Sequence, residues 1–491
     1  MDFAHLSTQN IIYLILSGLL IIAILLGIFL MSKVKHARLG NALSAIAMLA
    51  GIIIVLIFSG VFNFDNMLVA FIIILISLII GGVIGLVLSK KVKMIEMPQL
   101  VALLNGLGGA SSALVGIVSF ALFNGNAFAL ATSALAITVG LVTLCGSAIA
   151  AMKLHRLISQ KQVVLKNHQL MLILLLIVAL LCIILPAILI PLNVLSHGFV
   201  WLFLALNIVA SSLFGILFAI RVGGADMPIA ISLLNSFSGV AGAIAGLALR
   251  DVLLVAVGGI VGASGLILTQ IMCKAINRSL IDILFGRAKK VETEPSAPVE
   301  TKAEEKAEKI EEAPVEDTVD ENQDPYDPLR NAKNVIIVPG YGMAIAQAQH
   351  LVKEVADILV SKGAKVRYAI HPVAGRMPGH MNVLLCEADV DYEDLFEMSD
   401  INDDFANADC VIVVGANDVL NPAANTAVGT PIYGMPVLKV ADCKNIYIYN
   451  YDTKPGYAGV DNPLYQRKSG VHLFLGDAKA TLQEAVNELR K

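Results

Sequence analysis

Asn334-Val335-Ile336-Ile337-Val338-Pro339-Gly340-Tyr341-Gly342-Met343-Ala344-Ile345-Ala346 reads as strand, turn and helix start, and it decides the fold of the C-terminal part of this chain. The unbroken apolar run Val335–Val338 suits a strand buried on both faces, as in a parallel sheet. The turn that follows predicts a helix running to about Lys362. Further short apolar strands are expected at 365–370, 410–415, 436–440, 445–449 and 471–475, with helical stretches between some of them. Strands alternating with helices indicate a Rossmann-like, doubly wound parallel α/β sheet. The ligand crevice of such a sheet lies beyond the C-terminal ends of its strands.

Gly340-x-Gly342 stands where a dinucleotide fingerprint belongs, with Ile345 in the place of its third glycine. The first glycine permits the tight turn and the second lets a phosphate approach the backbone. A plain strand–helix turn is the alternative at this point. No acid at the end of the next strand claims a ribose 2′-OH, which favours a phosphorylated ribose. Other turns after strands point to the same crevice. His371-Pro-Val373-Ala374-Gly375-Arg376-Met377-Pro378-Gly379-His380 offers a guanidinium for phosphate. Gly415-Ala416-Asn417-Asp418 follows another strand, and Gly456-Tyr457-Ala458-Gly459 is a flexible segment carrying an aromatic ring. His371 and His380 read as loop hydrogen-bonders. No nucleophile–base pair is visible, which suits hydride chemistry carried out by nucleotides.

Outward from this domain the composition changes. The 491 residues are 57% hydrophobic and 15% charged, with mean hydropathy +0.77, against about 25% charged in soluble domains. Residues 1–290 carry a net charge of +11 and residues 291–491 one of −15. A membrane domain therefore precedes a water-soluble one, which excludes a purely soluble enzyme, a secreted disulfide scaffold and a disordered hub. Nine apolar runs, roughly 9–31, 40–60, 66–89, 97–123, 126–152, 169–193, 197–220, 227–249 and 252–273, are long enough to span a bilayer.

Lys33, Lys35, Arg38, Lys90, Lys91, Lys93, Lys153, Arg156, Lys161, Lys166, Arg221, Lys274, Arg278 and Arg287 crowd the connectors after the odd-numbered spans. The N-terminus is thereby expected outside and the C-terminal domain in the cytoplasm. The expected division is a membrane domain at 1–290, an acidic disordered linker at 291–325 and the nucleotide domain at 326–491. The linker holds 13 acids and three lysines and cannot bury enough apolar area to fold. Cys145, Cys182, Cys273, Cys386, Cys410 and Cys443 show no ligand-like spacing, so neither a metal nor disulfides are expected.

The membrane part carries an internal repeat. Met97-Pro98, Leu103-Leu104-Asn105 and Gly109 recur as Met227-Pro228, Leu233-Leu234-Asn235 and Gly239, each copy preceded by an acid, Glu96 or Asp226. Ser111, Ser112, Ser232, Ser236 and Ser238 extend a polar stripe. Close helix packing accounts for the small residues, whereas paired intramembrane asparagines mark a polar route.

These residues resemble the β subunit of proton-translocating NAD(P) transhydrogenase. The resemblance rests on Val338-Pro-Gly-Tyr-Gly-Met-Ala, His371-Pro-Val-Ala-Gly-Arg, Pro378-Gly-His-Met-Asn-Val-Leu-Leu, Ile401-Asn-Asp-Asp-Phe, Gly415-Ala-Asn-Asp, Gly434-Met435-Pro-Val, Gly456-Tyr-Ala-Gly-Val, Gly476-Asp-Ala-Lys, Arg221-Val-Gly-Gly-Ala-Asp-Met-Pro and Ile271-Met-Cys-Lys. It implies a Re/Si-specific enzyme of the inner membrane, coupling hydride transfer between NAD(H) and NADP(H) to proton movement. NADP(H) is expected on this chain and NAD(H) on a separate α subunit, in a dimer of αβ units, with no nucleic-acid partner.

By the same likeness, Gly340, Tyr341, Gly342, Met343 and Ala344 meet the nucleotide, and Val373 to Pro378 approach its phosphates. Gly415, Ala416, Asn417, Asp418, Gly434 and Met435 line the crevice, Gly456 to Gly459 form a lid, and Asp477 and Ala478 complete the site. Asn105, Asn235 and Asp226 are expected on the proton route, and Asp418 as a sensor of protonation. Two positions depart from the family. Asn105 replaces a His, and Asn450-Tyr451 replaces a Lys-Arg pair that holds the 2′-phosphate, leaving Lys454 as its expected substitute. A nucleotide-regulated channel or transporter, or an NADP-binding scaffold without turnover, is the competing expectation.

Overall fold

A computed structural model describes residues 8–31, 36–59, 64–92, 96–122, 126–159, 161–190, 192, 198–224, 226–275, 279–285 and 324–491, the last stretch without 377, 378, 429, 431, 457 and 468. Residues 291–323 of the expected linker at 291–325 and the connector cations Lys33, Lys35, Lys93, Arg278 and Arg287 lie outside the described residues. The chain divides into two compact units, Met1–Ile271 and Met272–Lys491.

Among the described residues, nine helices are long and apolar enough to cross a membrane. They are α1 (Thr8–Met31), α2 (Ala37–Phe58), α3 (Phe64–Lys91), α4 (Met97–Ala121), α5 (Ala127–Leu154), α6 (His168–Leu189), α7 (Phe199–Ile220), α8 (Met227–Leu249) and α9 (Val252–Ala275). α5 is the central post, packed against α4, α6, α7 and α8. Glycines bring the backbones together: a Cβ on Gly109 would stand 2.6 Å from the Gly140 carbonyl oxygen. Small residues allow such crossings where lipid supplies no hydrophobic drive between helices. Large apolar side chains such as Leu107, Leu174 and Trp201 are left facing outward.

In the C-terminal unit, α10 (Leu280–Phe285) and α11 (Asp327–Arg330) precede a six-stranded parallel sheet. Its strands are β1 (Asn334–Pro339), β2 (Lys365–Ile370), β3 (Leu395–Glu397), β4 (Cys410–Val414), β5 (Asn445–Asn450) and β6 (Val471–Leu475). Their order is β3-β2-β1-β4-β5-β6, the arrangement of a doubly wound nucleotide-binding fold. The helices are α12 (Tyr341–Ala346), α13 (Gln349–Ser361), α14 (His380–Glu387), α15 (Met398–Ile401) and α16 (Ala478–Leu489). α12, α13, α14 and α16 pack on one another. The opposite sheet face, Ile336, Val338, Val411, Val413, Ile446 and Ile448, buries itself against Phe405, Leu420, Leu438, Val440 and Leu464, which come mostly from short 3₁₀ turns and loops.

Two local expectations are corrected. The helix predicted from the turn to Lys362 is two helices. Gln347 adopts a left-handed conformation (φ 52°), and the Ala348 N–H donates back to the Met343 carbonyl at 3.1 Å, ending α12 as a helix C-cap does. The stretch 436–440 is not a strand. Leu438 and Val440 are buried, but as side chains covering the sheet rather than as part of its ladder.

Candidate functional site

The crevice forms where the chain leaves β1, β2, β4 and β5. Gly340 and Gly342 open the turn after β1, and both lie against Gly415, which follows β4. The Gly342 N–H donates to the Gly415 carbonyl at 2.8 Å, and a Cβ on Gly342 would fall 2.6 Å from the Gly415 Cα. Gly415 has φ +66°, a conformation that side chains disfavour. The glycines therefore serve contact between two turns, and the Gly342 N–H is engaged within the protein. Met343 and Ala344 are fully buried and hold the turn from below. Tyr341 is half-buried, and the Arg376 guanidinium lies 4.7 Å from its ring centroid, a cation–π geometry.

Arg376 ends the segment after β2. Val373 is half-buried, whereas Ala374 and Arg376 are buried. The segment is tied down by two histidines. His371 Nδ1 accepts from the Val373 N–H at 3.3 Å, and His371 Nε2 donates to the Pro436 carbonyl at 2.9 Å. His380 Nδ1 accepts from the Arg376 N–H at 3.1 Å. Burial pushes His371 down to about 4. Burial, helped by the Arg376 charge, does the same to His380. Both rings are thus neutral near pH 7 and keep an unprotonated acceptor. The Pro436 contact brings Gly434 and Met435 to the same end of the sheet, where the Gly434 N–H donates to the Ala424 carbonyl at 2.7 Å.

The segment after β5 lies across the loop after β4. Asn417 Nδ2 donates to the Lys454 carbonyl at 3.0 Å. Asn421 Nδ2 donates to the Val460 and Asp461 carbonyls at 3.4 and 3.2 Å, and Asn462 Nδ2 donates to Asn417 Oδ1 at 3.0 Å. Between these anchors, Asp418 Oδ2 accepts the Ala458 N–H at 3.0 Å. A Cβ on Gly456 would stand 2.5 Å from both Asp418 carboxylate oxygens. Gly456 and Gly459 thus lie in a span fastened at both ends by amides and in the middle by one carboxylate. Asn450 is buried, its Nδ2 donating to the Ala416 carbonyl and the Tyr465 hydroxyl, each at 2.9 Å. Tyr451 and Lys454 point to solvent, and Lys454 Nζ lies 3.7 Å from Asp452. Asp477 Oδ1 caps α16 by accepting from Lys479 and Ala480 N–H groups, and Ala478 is buried beneath it. Met377, Pro378 and Tyr457 lie outside the described residues.

A sequence model of the NAD(P) transhydrogenase beta subunit matches residues 9–488. The chain belongs to that family. The NAD(P) transhydrogenase subunit beta of Rhodospirillum rubrum is 40% identical over 490 residues, covering 97% of this chain and 98% of the relative. The same figures hold for the subunit from a specified strain of that organism. Family and fold together give this transhydrogenase beta subunit its role, coupling hydride transfer to translocation across the membrane.

In the membrane unit of this beta subunit the repeat is structural as well as sequential. α4 and α8 begin at Met97 and Met227, each with proline in its first turn, and neither Glu96 nor Asp226 caps its helix with its side chain. Asn105 and Asn235 therefore sit at equal depth, about 12 Å along each helix. Asn105 is buried, and its Nδ2 donates to the Ile231 carbonyl at 3.4 Å. That carbonyl is one turn before the half-buried Asn235, so Asn105 bonds across the α4–α8 seam to the backbone of the helix that carries Asn235. The serine stripe divides. Ser111 and Ser112 donate to carbonyls of their own helix. Ser232 accepts from Thr269, and Ser236 donates to the Gly262 carbonyl, both toward α9.

Two membrane features escape the sequence reading. Asn207 of α7 accepts at Oδ1 from Thr138 and Ser211 and donates to the Ala134 carbonyl at 2.9 Å. Lys153, expected among connector charges, is instead buried at the end of α5, donating to the Ile220 and Val222 carbonyls at 2.5 and 2.7 Å. It holds the C-terminus of α7 and the loop toward α8 in place. All six cysteines are free, and no cluster with metal-ligand composition occurs among the described residues.

Proposed function

We propose that the crevice above β1, β2, β4 and β5 binds NADP(H), and that this chain works with an α subunit carrying NAD(H). The observation that supports this most strongly is the convergence of Tyr341, Arg376, Asp418 and the glycine turns at one end of the sheet. The residues fit a phosphorylated dinucleotide: the buried Arg376 guanidinium lies over the Tyr341 ring, beside the glycine turn after β1, and a guanidinium suits phosphate. Arg376 would hold the phosphates, Tyr341 would flank them, and Lys454 is the available cation for a 2′-phosphate. The nucleotide, when bound, supplies the hydride chemistry.

The chain's own part is to bind and to switch. The ionised Asp418 holds the Ala458 N–H by a charge-assisted bond, stronger than the bond a neutral carboxyl makes. Protonating Asp418 weakens the central fastening while the asparagine anchors remain. Protonation of Asp226, on a polar route lined by the neutral Asn105 and Asn235, would be coupled to this change, shifting the crevice between occluded and open states that bind the nucleotide differently. With the N-terminus outside and the nucleotide domain cytoplasmic, inward proton flow would drive NADPH formation. A dimer of αβ units, Re/Si stereochemistry and domain limits of 1–290, 291–325 and 326–491 complete the reading.

The test is reconstitution of the chain with its α subunit into vesicles. Reduction of NADP⁺ by NADH should move protons and accelerate under an imposed gradient. Turnover that ignores the gradient would overturn the coupling, and a solute flux without turnover would favour a nucleotide-regulated transporter.

A further inference from the structure

We infer that His380 is a positioning residue for the Arg376 turn, setting affinity for the phosphates of the nucleotide without touching them. The inference rests on the reading of the crevice as the NADP(H) site and adds a residue to it. His380 begins α14 and is 1% exposed. Its Nδ1 accepts the Arg376 N–H at 3.1 Å. Its ring centroid lies 6.3 Å from that of Tyr341, the ring on which the Arg376 guanidinium rests. One side chain therefore touches the backbone of Arg376 and the aromatic support of its charge.

The preceding turn is shaped around this ring. Gly375 has φ +104°, and a Cβ there would fall 2.6 Å from the His380 Cβ. The neutral ring has its proton on Nε2, because Nδ1 is the acceptor. That Nε2 is buried without a hydrogen-bond partner among the described residues, and an unmade buried donor is costly. An apolar side chain would fill the same space without that cost. What the imidazole contributes is the acceptor at Nδ1.

The test uses the full chain assembled with its α subunit in detergent. His380→Ala should raise the KM for NADP(H) about tenfold, leaving the KM for NAD(H) and kcat at saturation unchanged. His380→Asn, which places an amide oxygen where Nδ1 stood, should stay within about threefold of the native enzyme. His380→Gln, with its acceptor one carbon further out, should behave like the alanine variant. In an Arg376→Ala background, His380→Ala should add little, as expected of residues acting through one another. Unchanged KM in His380→Ala, equal impairment in the Asn and Gln variants, or full additivity with Arg376→Ala would each overturn the assignment. If His380→Ala does not assemble, the comparison of Asn with Gln still decides. A native complex that fails to bind NADP(H) would defeat the cofactor reading itself, a separate outcome.

Discussion

Gly342 and His371 show how single positions hold the crevice together. Alanine at 342 would place its Cβ against the Gly415 backbone, which is fixed by its own left-handed conformation. Gly342→Ala should therefore cost the domain about 1–3 kcal/mol and weaken NADP(H) binding, measured by thermal melting and nucleotide titration. His371 carries a pH signature. Its folded pKa, about 4, lies below the value near 6.5 of an unfolded chain. Between those values the unfolded state binds the extra proton, so the stability it confers is complete above pH 6.5 and lost as pH falls toward 4. The loss is on the order of 3 kcal/mol. His371→Gln should flatten the acid limb of a melting-temperature profile, and an unchanged limb would show that other groups cause it. The glycine pair was legible in the sequence as a turn. Its partner was not, because nothing in Gly340-x-Gly342 says that the close neighbour is Gly415 rather than a phosphate.

The segment after β5 works as an element. Its ends are held by Asn417, Asn421 and Asn462, whose amides do not titrate, and its middle by Asp418. Asn421→Ala removes two bonds to the segment and the cap on the Ala423 N–H. It should cost about 1–3 kcal/mol and speed NADPH release, read by stopped-flow fluorescence. Release at the native rate would mean that the far anchor does not govern opening. Long apolar runs and the Met-Pro repeat made β1, β2, β4, β5, β6 and α1 to α9 legible. β3 has only three residues and emits no comparable signal. At 436–440, burial of Leu438 and Val440 mimics a strand, since side-chain covering and ladder pairing leave the same apolar pattern. The break between α12 and α13 turns on Gln347, a residue type that gives no warning of a left-handed conformation. Asn207 could be seen in its apolar run, but its partners Thr138 and Ser211 are visible only once α5 and α7 are packed.

At the scale of the molecule, the opposed charges of residues 1–290 and 291–491 announce two solvents for one chain, and the two compact units divide between Ile271 and Met272. The membrane unit places neutral asparagines at matched depth on α4 and α8. The C-terminal unit gathers one guanidinium, one carboxylate and a set of glycine turns at the ends of four strands. The proposed function requires a nucleotide whose 2′-phosphate is read by this chain. At the end of β5, Asn450 is a buried strut and Tyr451 points to solvent, which leaves Lys454, near Asp452, as the cation in that loop for the phosphate. The most direct test is titration of the purified full-length chain with NADPH and with NADH. A preference for NADPH of more than about tenfold, or about 1.4 kcal/mol, is the predicted result, and Lys454→Ala should reduce it. Equal affinity for the two nucleotides, or binding of neither, would contradict the account.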